Sequence, residues 1–116
     1  MLPRHLRLRH SADFVTVLRR GRKVARPTLI LYAHRSQHPH FGLVVSKQVG
    51  PAVDRNRVKR QLRHQAMLLI DPGSPFDVVV RALPGAATAH GELVADLASA
   101  WEEAAALESA REVISV

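Results

Sequence analysis

Apolar positions along the chain recur with periods that predict its elements. In "SADFVTVLRRG", Phe14, Val17 and Leu18 fall at i, i+3 and i+4, one apolar face of a helix over 11–20. Ser11 can cap its start, Asp13 suits the dipole in the first turn, Arg19 and Arg20 occupy the last turn, and Gly21 is a stop. "RKVARP" reads as a basic linker, although "GRKVA" could add an edge strand. "TLILYAH" and "FGLVVSK" are β-branched and apolar, predicting strands over about 28–34 and 41–47. The short loop "RSQHPH" between them suggests an antiparallel hairpin. Gly50 and Pro51 then break the strand pattern, and a helix is expected over about 53–70. "DPGSP" is turn chemistry, and "FDVVVRAL" predicts a third strong strand over 76–82. The final segment, "ELVADLASAWEEAAALESAREV", predicts an alanine-rich acidic helix over about 91–112. The order is that of an α+β or α/β sandwich built on one small sheet.

At 116 residues the chain is expected to form one domain. Its 47% hydrophobic content argues against compositional disorder, and the absence of cysteine excludes disulfides and thiolate chemistry. No apolar run approaches the roughly 20 residues of a membrane span, and "MLPRHLRLRH" lacks the apolar centre of a signal peptide. A soluble, cytoplasmic protein with no membrane partner is expected.

Charge sharpens the picture through its distribution. The net charge of +7 divides into +13 over residues 1–63 and −6 over residues 64–116. Such polarity presents a positive face to a polyanion and keeps the acidic tail off it. Nucleic acid fits better than a membrane surface, because no basic amphipathic helix carries a bulky aromatic face.

The predicted central helix concentrates that charge. With Val58 at 0° and 100° per residue, Leu62, Ala66 and Leu69 fall at about 40°, 80° and 20°, one apolar stripe. Lys59, Arg63, Asn56, Arg60, His64 and Arg57 fall at about 100–260°, a polar face without an acid, while Asp54 precedes it near the helix start. Solvated helices usually mix signs, because like charges four residues apart repel. The face therefore points to an anionic partner, and arginine suits the bidentate geometry of phosphate. Charge alone leaves DNA and RNA both open.

The run "RNRVKRQLR", preceded by "VSKQVGPAVD", resembles the arginine–asparagine–arginine signature of the bacterial ribonuclease P protein subunit. The matching spacing takes in Ala52, Arg55, Asn56, Arg57, Lys59, Arg60 and Arg63. "RLRHSADFVTVLRRG", "LILYAH", "FGLVVSK" and "FDVVVRALPGAA" are similar to the family's opening helix and successive strands, so the resemblance covers about residues 4–90. It implies a small mixed β-sheet with three helices in ribosomal-protein-like α-β-β-β-α-β-α order. A left-handed β-α-β crossover would reverse the usual hand.

The resemblance also implies the activity. With a catalytic RNA subunit, such a protein takes part in hydrolytic removal of the 5′ leader from precursor tRNA. The protein carries no catalytic group. Magnesium is expected to be held mainly by the RNA subunit and substrate, and the free protein is expected to be monomeric. Carried over by position, Arg55, Asn56, Arg57, Lys59, Arg60 and Arg63 would contact the RNA subunit. Phe14, Leu18, Tyr32, Ser46 and Lys47 would bind the leader in a cleft between the first helix and the sheet. Aromatic faces there can stack on bases with little sequence preference. Leu18 departs from the family, where many relatives carry a second aromatic; leucine packs but stacks poorly.

Other side chains have plainer readings. Trp101 lies on a stripe with Leu93, Leu97 and Ala104 and is expected to pack, while Glu92, Asp96 and Glu103 are expected to be solvated. His34, His38 and His40 have no cysteine or carboxylate beside them, so positive charge facing RNA is preferred to a metal site. A self-sufficient nuclease would need clustered carboxylates or histidines, and the basic half has only Asp13 and Asp54.

Overall fold

The computed structural model describes residues 2–88 and 90–114. Helix α1 spans Ser11–Arg20 and is followed by strands β1 (Arg22–Ala25), β2 (Leu29–Arg35) and β3 (His40–Val44). Helix α2 (Ala52–Leu69), strand β4 (Phe76–Ala82) and helix α3 (His90–Ile114) complete the order. Short 3-10 turns at Arg4–Leu6, Lys47–Val49 and Pro84–Ala87 join these elements.

The four strands form one mixed sheet in the order β1-β2-β4-β3. β2 pairs antiparallel with β1 and β4, whereas β3 runs parallel to β4. The expected hairpin between segments 28–34 and 41–47 is therefore not formed. β4 separates them, and β2 pairs with β1, the edge strand that "GRKVA" could add, in a segment otherwise read as a linker. The reason lies in β4, whose Phe76, Val78, Val79 and Val80 are buried. A strand apolar on both faces is stable at the sheet centre, and the parallel β3–α2–β4 unit places it there.

The core lies between the sheet and the helices α2 and α3. Leu29, Leu31 and Ala33 of β2 join Phe76, Val78, Val80 and Ala82 of β4 against Val58, Leu62 and Ala66 of α2 and Leu93, Leu97 and Ala100 of α3. Those α2 residues are the stripe its periodicity predicts. Trp101 packs as expected, its ring stacked 5.9 Å from that of Phe41. On the opposite sheet face, Leu8, Val17 and Val79 form a smaller cluster flanked by Phe14, Tyr32 and Val44.

Local details correct several expectations. Ser11 is the first residue of α1, His10 holds the cap position, and neither supplies a side-chain cap bond. Gly21 ends α1 with negative φ, so its value is space: a Cβ there would lie 2.4 Å from the Val17 carbonyl oxygen. β3 stops at Val44, leaving Ser46 and Lys47 in the following turn. Gly50 closes that turn with φ 148°, a conformation that favours glycine.

The acidic residues of α3 are less solvated than expected. Asp96 Oδ2 accepts from the Thr28 hydroxyl at 2.7 Å and the Thr28 amide at 3.2 Å. Glu103 pairs with Arg26 at 3.2 Å, and Glu108 with Arg22 at 3.3 Å. Glu92 remains exposed. The acidic helix thus pairs with cations at the β1 edge and with none of α2 among the described residues.

Candidate nucleic-acid interface

Burial of Val58, Leu62 and Ala66 turns the opposite side of α2 outward. Asn56, Lys59, Arg60, Arg63 and His64 line, with Val53, a shallow groove of about 650 Å³. Among the described residues, Lys59, Arg60 and Arg63 have no acidic partner. Their charge is free for an external anion, and the cationic face expected from the sequence is formed by these residues.

Arg57 is placed differently. Its Nη2 donates to Asp54 Oδ1 at 2.9 Å and to the Ala87 carbonyl at 3.5 Å. It ties the start of α2 to the Pro84–Ala87 turn, and Asp54 serves as its ion-pair partner rather than as a cap. Arg55 is half-buried, and neither Arg55 nor Arg57 lines the groove. Of the six signature residues, Asn56, Lys59, Arg60 and Arg63 line the groove, and Arg55 and Arg57 do not.

The second surface is the sheet face under α1. Strand pairing sets its side chains in rows: His34, Asp77 and His40, then Tyr32, Val79 and Gly42, then Ile30, Arg81 and Val44. α1 crosses the first two rows. Val17 and Val79 are sealed between helix and sheet, and the Phe14 ring lies over Gly42, where a Cβ would sit 2.5 Å from Phe14 Cζ. His40 is engaged within the first row, its Nδ1 lying 2.8 Å from Asp77 Oδ1. The third row is open: Ile30 and Val44 are half-buried and Arg81 is exposed.

Phe14, Tyr32 and Val44 pack beside the Leu8, Val17 and Val79 cluster on this face, and Ile30 and Arg81 lie in the adjoining open row. Leu18 of α1 is 39% exposed, while Phe14 and Tyr32 are half-buried beside the same small cluster. Ser46 and Lys47 are exposed just beyond the end of β3. The sequence reading missed Ile30, Gly42, Val44 and Arg81. Only Arg81 left a signal, as the one cation in the apolar run "FDVVVRAL".

The two surfaces meet at the β3 edge. There the N-terminal segment pairs alongside the strand, with the Leu8 amide donating to the Phe41 carbonyl at 2.9 Å. Arg63 of α2 and Phe14 of α1 line one cavity of about 210 Å³ together with Arg7, Arg9 and Gly42.

The family described as Ribonuclease P matches residues 2–105. A ribonuclease P protein component from Rhodococcus erythropolis is 49% identical over 100 residues, covering 77% of this chain and 79% of the relative. One from Streptomyces avermitilis is 47% identical over 117 residues, covering 88% and 94%. The chain belongs to the ribonuclease P protein family. As such a component it is part of the ribonucleoprotein endonuclease of tRNA processing, with the ribonuclease P RNA and precursor tRNA as partners.

Solved structures share its fold. The RNase P protein of Staphylococcus aureus superimposes with a TM-score of 0.71 at 24% identity, over 89% of this chain and 94% of that one. That of Thermotoga maritima gives 0.60 at 24% identity, over 70% and 76%. Among the described residues, no helix is long and apolar enough to cross a membrane.

Proposed function

We propose that the outward face of α2 docks on the ribonuclease P RNA while the cleft beside α1 holds the single-stranded 5′ leader of precursor tRNA. The observation that carries this reading is the abrupt end of the cover provided by α1. Val79 is 0% exposed, whereas Arg81, two residues along the same sheet face, is open to solvent. Two half-buried aromatics, Phe14 and Tyr32, stand at that boundary. Their rings offer stacking surface to any base, as a substrate with variable leaders requires. Arg55, Asn56, Arg57, Lys59, Arg60 and Arg63 belong to the RNA-subunit surface, with Asn56, Lys59, Arg60 and Arg63 in its outward groove. Leu18, Ser46 and Lys47 line the cleft at its rim and mouth.

The hydrolytic step belongs to the RNA subunit, with magnesium supplied by RNA and substrate phosphates. Magnesium takes oxygen ligands, carboxylates and phosphates above all. Among the described residues no three histidine or carboxylate side chains converge on one point, and Asp54 beside the basic face is already paired with Arg57. The protein contributes positive charge and a leader track, is monomeric when free of RNA, and works in the cytoplasm.

The test is substrate affinity of the reconstituted holoenzyme, measured with precursor tRNA bearing a long or a one-nucleotide leader. Phe14→Ala and Tyr32→Ala are each expected to weaken binding of the long-leader substrate about tenfold, from lost stacking of 1–3 kcal/mol per base. Equal binding by wild type and both variants would return the two rings to a purely packing role.

A further inference from the structure

We propose that Arg81 binds a leader phosphate on the floor of the cleft, an inference that rests on the leader-binding reading of that cleft. β4 is the central strand, paired on both sides, and it is buried along almost its whole length. Arg81 alone in it is exposed. Its cross-strand neighbours are Ile30 on β2 and Val44 on β3, both aliphatic and half-buried. Among the described residues it has no hydrogen-bond or ion-pair partner, in contrast to Arg22, Arg26 and Arg57. Asp96, Glu103 and Glu108 of α3 engage Thr28, Arg26 and Arg22, on and just after β1.

A lone cation on an apolar floor has two consequences. No acid of the described residues pairs with it, so its charge is available to an external anion. Its planar guanidinium also presents parallel donors that match a phosphate. The spacing is suitable as well. Two residues along a strand amount to about 6.6 Å, so Arg81 stands one row from Tyr32 and Val79. A nucleotide whose base stacks beside Tyr32 can extend its phosphodiester over Arg81. Phosphate carries no sequence information, so this contact tightens binding without selecting among leaders. It offsets the weak stacking of Leu18, which stands on the α1 wall of the same cleft.

The test uses the holoenzyme reconstituted with a bacterial ribonuclease P RNA. Substrates carry a long leader, a long leader with methylphosphonate linkages replacing individual phosphates, or a one-nucleotide leader. Arg81→Ala is expected to lower the ratio of long-leader to one-nucleotide-leader affinity about fivefold, the upper range for an exposed charge pair. It should also reduce the slope of log affinity against log salt by about 0.7, one single-strand phosphate. Arg81→Lys should restore most of both effects. One methylphosphonate position should reproduce the loss in wild type and add nothing to Arg81→Ala. If Arg81→Ala leaves ratio and slope unchanged while Tyr32→Ala lowers the ratio, Arg81 is not a leader contact and the cleft stands. If Arg81→Ala, Phe14→Ala and Tyr32→Ala are all without effect, the cleft reading fails and takes this inference with it. A loss that no methylphosphonate position reproduces also overturns the phosphate contact.

Discussion

The ring of Phe14 rests on the backbone of Gly42: a Cβ at position 42 would lie 2.5 Å from Phe14 Cζ and 3.2 Å from Leu8 Cβ. A glycine on β3 thus makes room for an aromatic side chain on α1. The ring can sink to a half-buried position at the cleft wall only because the strand beneath it has no side chain.

Gly42→Ala tests that relationship. The added methyl must push the Phe14 ring outward, because the neighbouring Leu8 Cβ leaves no alternative space. The expected stability loss is about 1–2 kcal/mol, typical of inserting a carbon into packed structure. Thermal unfolding measures the loss, and it should be accompanied by weaker discrimination in favour of long leaders. A variant with full stability and unchanged discrimination would show that the ring position is not set by Gly42.

Asp96 holds the start of β2. It accepts both the amide and the hydroxyl of Thr28, which is only 2% exposed. Asp96→Ala strands two buried donors and should cost about 2 kcal/mol in denaturant unfolding. Glu103→Gln removes a pair whose acid is about half exposed and should change stability by less than about 0.5 kcal/mol. Equal costs for the two variants would contradict the distinction between a buried anchor and a surface pair.

The outward cations of α2 should be read in salt dependence. Each of Arg60→Ala and Arg63→Ala is expected to reduce the slope of log affinity for the ribonuclease P RNA against log salt by about 0.9. Arg57→Ala should in addition lower protein stability by about 1 kcal/mol, since it loses the hydrogen bonds to Asp54 and Ala87. Slopes from filter binding between 50 and 200 mM salt, with unfolding curves, separate the two kinds of arginine.

The helical part of this architecture was legible from the sequence. Val58, Leu62 and Ala66 repeat with helical period in a segment whose other side is cationic, so one pattern identified both the core stripe and the charged face. The sheet was less legible. β4 is apolar on both faces, and an apolar run carries no information about which strands flank it. Nearness in sequence suggested pairing β2 with β3, whereas the stability of a central β4 decided otherwise. Contacts across long separations were also hidden. Nothing near Asp96 or Glu103 announces Thr28 or Arg26, so both acids read as solvated. The proposed cleft residues Phe14, Leu18, Tyr32, Ser46 and Lys47 came from the family resemblance and from no pattern in the chain itself. The positions of Gly42 under Phe14 and of Arg81 in the open row become visible only once β3 and β4 lie side by side beneath α1.

The central claim is that this chain, through its α2 face and its cleft, enables a ribonuclease P RNA to process precursor tRNA by engaging the leader. The most direct measurement is cleavage at low magnesium by a bacterial ribonuclease P RNA, with and without the protein, on substrates with long and one-nucleotide leaders. The account predicts that the protein accelerates cleavage and does so more strongly for the long leader. Equal acceleration of both substrates, or none with either, would contradict it.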